Sequence, residues 1–150
     1  MNSFQYQFEC LIDTTPHRVY EFHCDTNNLP KITPPWMKAN IINIDLPLGT
    51  NSIIEVDIKQ YGLNQKWLVQ VDKMIPYNSV AEKALTSPFK AFYHDRVIEA
   101  IQNNKTLLKE TITLSLPLFP LSLIALPLIK RDLQRMFEHR HRMTKAILER

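Results

Sequence analysis

Glycine is nearly missing from this chain. Gly49 and Gly62 are the only two in 150 residues, which excludes the glycine-rich loops that cradle nucleotide phosphates. Cysteine is equally scarce. Cys10 and Cys24 cannot make a disulfide framework, and Cys10 falls in the apolar phase of a strand, as a small core residue. No apolar run is long enough to span a bilayer. Leu116 to Ile129 is the strongest, but it holds Pro117, Pro120 and Pro127, and a spanning helix needs about 20 apolar residues. The opening MNSFQYQFEC has neither a basic start nor an apolar stretch, so no export signal is read and a cytoplasmic location is expected. Charge is weak too. The net +3 comes largely from a terminal helix whose basic face is broken by acids, so neither a nucleic-acid partner nor stable membrane insertion is expected. There is no G-x-S-x-G setting for a serine nucleophile. His139 and His141 are two apart, face different ways on a helix, and have no Cys or Asp at ligand spacing, so no metal site is expected. His17 and His23 suggest no site, and nothing in the chain requires a cofactor.

The pattern that is present is an α+β one. From Leu126 to Arg150, Ile129, Leu133, Met136, Phe137, Met143 and Ile147 recur mostly three or four apart. That spacing predicts a one-sided helix, roughly 35 Å long at 1.5 Å per residue. Pro127 suits its first turn. Such a helix needs a broad apolar partner. The first strand alternates, with Phe4, Tyr6, Phe8, Cys10 and Ile12 in one phase. Asp13-Thr14-Thr15-Pro16 stops it. Thr15 then caps a short helix with Pro16 at its first position and Arg18 in place of the usual acid. Val19, Tyr20, Phe22 and His23 carry that helix to about Asp25. One or two further turns are expected between Thr26 and Thr33, before Pro34-Pro35.

Six strands follow: Trp36 to Leu46, Ser52 to Gln60, Gln65 to Met74, Ser79 to Leu85, Phe89 to Ile101 and Lys105 to Leu116. Short turns between consecutive strands favour an antiparallel meander. The expected fold is a seven-stranded, curved antiparallel sheet wrapped around the long C-terminal helix, with two short helices between the first two strands. The whole of 1–150 is read as one domain.

Several short stretches sharpen this reading. Leu29-Pro30-Lys31-Ile32-Thr33-Pro34-Pro35 looks like the "L..LTPP" stretch of a bacterial branch of the START-like, helix-grip (SRPBCC) superfamily. Gly62 and Trp67 match its "G…W" strand, and Ser87-Pro88-Phe89 resembles its "GPF" turn. Phe92, His94 and Arg96 sit where it has "W.H.H". Thr106, Leu108, Glu110, Ile112, Leu114 and Pro117 follow "T.L.D.V.Y..P", and Phe137 with Arg140 matches "F..R". The chain therefore resembles the polyketide cyclase/dehydrase-like and birch-pollen-allergen-like proteins over nearly its full length. The resemblance implies an apolar cavity between sheet and long helix, taking lipids, hormones or polyketide-like molecules, with cyclisation or dehydration in some members.

The alternation of the last two strands locates candidate site residues. Leu107, Lys109, Thr111, Thr113 and Ser115 are mostly polar, whereas Thr106, Leu108, Glu110, Ile112 and Leu114 are mostly apolar. The even-numbered residues of both strands should face inward. That requires an odd connection or a bulge. A three-residue Gln102-Asn103-Asn104 loop would set Arg96 opposite Glu110. The candidate ligand-binding set is then Trp67, Phe92, His94, Arg96, Glu110 and Ile112 from the sheet, with Leu133 and Phe137 from the helix. Arg96 could hold a carboxylate or enolate while Glu110 or His94 moves a proton. Alternatively Arg96 and Glu110 neutralise each other as a buried pair. The expectation is a protein that binds a small hydrophobic ligand. A cyclase or dehydratase using His94, Arg96 and Glu110 is the first alternative, and a filled-core interaction protein the second. Leu118, Phe119, Leu121 and Leu123 in the loop before the helix suggest a lid, an association surface for a possible homodimer, or a core contribution.

Overall fold

The computed structural model describes residues 3–150. It contains β1 (Ser3–Ile12), α1 (Pro16–Cys24), a 3₁₀ turn (Thr26–Asn28), α2 (Leu29–Ile32), β2 (Met37–Ile44), β3 (Ile53–Gln60), β4 (Leu63–Ile75), β5 (Ser79–Thr86), β6 (Ala91–Gln102), β7 (Lys105–Ser115), a second 3₁₀ turn (Leu121–Ala125) and α3 (Leu126–Leu148). The seven strands form one antiparallel sheet in the order β1-β7-β6-β5-β4-β3-β2. The chain's first strand thus pairs with its last, and the sheet ends on β2. Bulges between Ile41 and Asn43, and twice along the β4–β5 pairing, add bend and twist. They curl the β2–β5 half into a trough.

The local chemistry accounts for these elements. Exposed and half-buried residues alternate down β1, as its period-two pattern requires. Thr15 caps α1 by accepting from the Arg18 amide at 3.3 Å, with Pro16 in the first turn. The β3–β4 connection is a two-residue turn, because Gln60 pairs with Leu63. Tyr61 and Gly62 both adopt positive φ (56° and 73°), the conformation that matches strand twist in a tight hairpin.

The β6–β7 connection differs from the expected three-residue loop. Gln102 pairs with Lys105 across a two-residue Asn103–Asn104 turn, and one extra residue, Ile101, bulges out between Ala100 and Gln102. The parity is the same as a three-residue loop would give. Arg96 lies opposite Glu110, and Ile98, Thr106, Leu108, Glu110, Ile112 and Leu114 are all buried.

The long helix lies across one half of the sheet. Its buried stripe is Leu133, Phe137, His141, Thr144 and Leu148, a rotation from the expected apolar face. Met143 and Ile147 flank the stripe against a second core cluster, and two polar residues sit at its centre. Phe137 stacks on Phe8 with ring centroids 4.5 Å apart and joins Ile112, Leu114, Leu116 and Leu133 in a closed core. Burying a side chain of that size contributes about 1.5–3 kcal/mol. The loop before α3 adds little to this core. Leu118, Leu121 and Ile124 are 81%, 75% and 87% exposed. Among the described residues, no helix is long and apolar enough to cross a membrane.

Candidate functional site

The other half of the sheet is not filled. Alternate residues of β2 to β5 point into the trough: Met37, Ala39 and Ile41; Ile54, Val56 and Ile58; Trp67, Val69 and Val71; Val80, Glu82 and Ala84. Phe92, His94 and Arg96 of β6 continue this floor. The roof is built by short pieces, from Phe22 and His23 of α1 to Ile32, Thr33 and Pro34. The α3 helix contributes only Met136 and Arg140. Between floor and roof is a cavity of ≈ 220 Å³, somewhat below the roughly 300–1,000 Å³ typical of small-molecule sites. Apolar side chains make up most of the wall. The β3–β4 turn reaches α3, where the Tyr61 hydroxyl donates to Asp132 at 2.8 Å.

At the seam between the hollow and filled halves stands a buried polar network. Glu110 is its centre, with a side chain 1% exposed. One carboxylate oxygen accepts from Arg96 Nε at 3.0 Å and bonds His94 Nε2 at 2.9 Å. The other bonds His141 Nε2 at 2.6 Å. A second Arg96 nitrogen donates to Glu82 at 3.3 Å. Burial opposes the charge on Glu110. The hydrogen bonds from His141 and His94 and the charge of Arg96 outweigh it and hold the carboxyl well below its usual range. Burial also opposes the Arg96 charge, but Glu110 and Glu82 raise its pKa. His94 is pushed below the usual histidine value, first by burial and then by the Arg96 charge. A carboxylate so fully hydrogen-bonded is a poor proton acceptor at neutral pH.

The structure thus divides the candidate residues. Trp67, Phe92, His94 and Arg96 line the cavity. Glu110 stands behind them, beneath His94, Arg96 and His141. Ile112, Leu133 and Phe137 belong to the closed core on the other side of the seam. The long helix that was expected to form the cavity wall mainly fills the neighbouring half instead. The trough is left to smaller helices that cannot fill it.

Four contributors were not read from the sequence. Glu82 lies opposite His94 in the register, and its inward phase was readable from strand alternation. His141 is one helical turn beyond Phe137 and shares its face, a spacing masked by its polarity. His23, on α1, and Arg140, on α3, both face the cavity. Both carry an interior atom with no hydrogen-bond partner, His23 Nε2 and Arg140 Nε, as does Trp67 at Nε1. His23 is held well below the usual histidine pKa, by burial first and then by the Arg96 charge. Burial likewise lowers Arg140. Three partnerless polar groups around one hollow are unusual, because buried donors are nearly always satisfied.

Comparison with known proteins fits this architecture. The profile of the polyketide cyclase / dehydrase and lipid transport family matches residues 12–139. The chain belongs to that family. No curated protein sequence matches it. Among solved structures, it is similar to an aromatase/cyclase from a Streptomyces species, at 15% identity and TM-score 0.79, covering 99% of this chain and 94% of that one. It is also similar to a START superfamily protein from Mycobacterium smegmatis, at 13% identity and TM-score 0.74, covering 97% of each chain. A third similar structure is an Ara h 8 protein, at 12% identity and TM-score 0.66, again covering 97% of each. The family member described here therefore has a START-like, helix-grip fold. At these identities the likeness speaks for the fold alone.

Proposed function

We propose that this member of the family binds a small hydrophobic molecule in the trough between β2–β6 and the short helices. The observation that carries this reading is the cavity itself: a partly open, mostly apolar space with polar groups set in its wall. Burial of apolar ligand surface, at about 25 cal/mol per Å², supplies affinity, and the polar groups fix orientation. A lipid-like, isoprenoid or polyketide-like compound of modest size fits that wall. Membership of a family that joins polyketide cyclisation with lipid transport supports the same class. A catalytic reading through His94, Arg96 and Glu110 has less support, since Glu110 is saturated with donors and Arg96 is held between two carboxylates.

Native mass spectrometry of freshly purified protein, followed by solvent extraction, tests the proposal together with a panel of small apolar compounds scored by thermal shift. A mass adduct shed on denaturation, or stabilisation that disappears in Ala39→Leu, is the expected result. Ala39 lines the floor, so the larger side chain occupies ligand space. If no adduct is found and no compound shifts the melting temperature or the amide signals of β2–β5, the binding reading is wrong.

A further inference from the structure

One cation at the cavity has no direct ion pair among the described residues, although Glu110 and Glu82 act on it from a distance. Arg96, the arginine expected to meet a ligand, is already committed to Glu110 and Glu82. Arg140 is not. It projects from α3 into the cavity lining, and among the described residues no carboxylate lies within ion-pair distance of it. Its Nε is enclosed and has no hydrogen-bond partner. The face of Phe137 lies 5.4 Å from its guanidinium carbon. A ring face is a weaker partner than a carboxylate. Facing the same space from α1, His23 also carries an unpartnered ring nitrogen, Nε2. An enclosed guanidinium Nε and an imidazole nitrogen that both lack a partner are costly in a folded protein. They stand at a cavity whose remaining wall is mostly apolar.

We infer that Arg140 and His23 form the head-group site of the cavity, and that the ligand is an apolar molecule ending in a carboxylate. This rests on the binding reading above and adds the class of ligand to it. The planar fork of Arg140 suits a carboxylate, and His23 donates from Nε2 to one of its oxygens. The apolar body then lies along Val56, Val69 and Trp67. The other charged groups around the space are accounted for. Glu82 faces Arg96, and Glu110 is enclosed by Arg96, His94 and His141. Asp25 and Lys83 lie on the lining as well, one of each sign.

Isothermal titration calorimetry with octanoate and 1-octanol, which share a chain and differ in the head, tests the assignment at neutral pH. The wild-type protein should prefer octanoate to 1-octanol by at least about tenfold, the usual scale of a charge-assisted hydrogen bond. Arg140→Gln should remove that preference and leave 1-octanol affinity within about twofold, a difference too small to reflect a lost bond. Because Arg140→Gln can perturb α3, imidazole ¹⁵N spectra of the wild-type protein supply an independent readout. Octanoate should shift the His23 Nε2 signal and 1-octanol should not. Equal affinities in the wild type, or an octanoate preference that survives in Arg140→Gln, overturn the head-group site while leaving apolar binding intact. Binding of neither compound overturns the binding reading and the head-group site together.

Discussion

The two halves of the sheet are made from similar residues and reach different ends. On the β1–β7 side, Phe8, Ile112 and Leu114 meet Leu133 and Phe137 of a 23-residue helix and close into a core. On the β2–β5 side, Ile54, Val56 and Val71 form an equally apolar floor, but above it are mainly α1, a 3₁₀ turn and a four-residue α2, joined by Met136 and Arg140 of α3. The difference is one of reach. A helix can press side chains into a sheet along its whole length, whereas short segments joined by turns bridge the trough at a distance. Hollowness here is a property of the roof.

Like-for-like substitutions on the two sides should expose this difference. The largest effects belong to the filled half and the seam. Phe137→Ala should cost about 3–5 kcal/mol in chemical denaturation, since the surrounding core relaxes only partly. Glu110→Ala should cost a similar amount, about 3–5 kcal/mol, because it leaves Arg96 buried with only a long bond to Glu82. A cost under about 1 kcal/mol for either, within the ordinary scatter of point mutants, would show that the seam is not where the fold is held.

Acid should strike the seam next. Glu110 has a depressed folded pKa, so its contribution is complete above its unfolded value near 4.5 and is lost as pH falls through the folded value. His23 and His94 are also depressed, so folding favours their neutral forms. Their contribution is complete above about 6.5, the ordinary value, and is lost as pH falls below it. All three have the same sign. The melting temperature should be level above neutrality and decline in two stages, first below about 6.5 and again below about 4.5. A Glu110→Gln protein should lose the second stage and keep the first. Stability that rises on acidification would contradict the network as drawn.

A paired comparison sharpens the contrast further. Ile112 in the closed core and Ile54 on the cavity floor are both buried. Ile→Val typically costs about 0.5–1.5 kcal/mol. Ile112→Val should fall near the top of that range and Ile54→Val near the bottom, since the latter already borders space. Equal costs would mean that the trough is packed in solution. Smallest of all, Tyr61→Phe removes an exposed hydrogen bond to Asp132. It should change stability by less than about 0.5 kcal/mol in chemical denaturation.

Sequence pattern reveals the sheet well and the cavity poorly. The alternation of β1 and β7 and the caps of α1 are local properties, so the succession of elements and the Arg96–Glu110 pairing could be read directly, whereas the pairing of β1 with β7 is not local and could not. Where the long helix comes to rest is not local. It depends on how far the bulged strands curl, and nothing in the helix's own periodicity says which half it covers. For that reason Ile112, Leu133 and Phe137, all inward-facing, were placed at the cavity when they belong to its neighbour. His141 and Arg140 were obscured differently. Each is a polar residue on or beside the buried stripe, and polarity alone puts such residues outside. Their burial follows from a carboxylate and a hollow contributed by strands far away in the chain.

The bulge at Ile101 bears on how such a chain tolerates change at the level of its gene. Every side chain on β6 owes its inward or outward aim to that one extra residue. Loss of a single codon between Ala100 and Asn104 would leave an even connection and no bulge. Either β6 then turns over, bringing Tyr93, Asp95 and Val97 inside, or the turn must rebuild the lost residue elsewhere. Loss or gain of two codons carries no such consequence. Length variation at this hairpin should therefore occur in steps of two, with single-codon changes removed by misfolding.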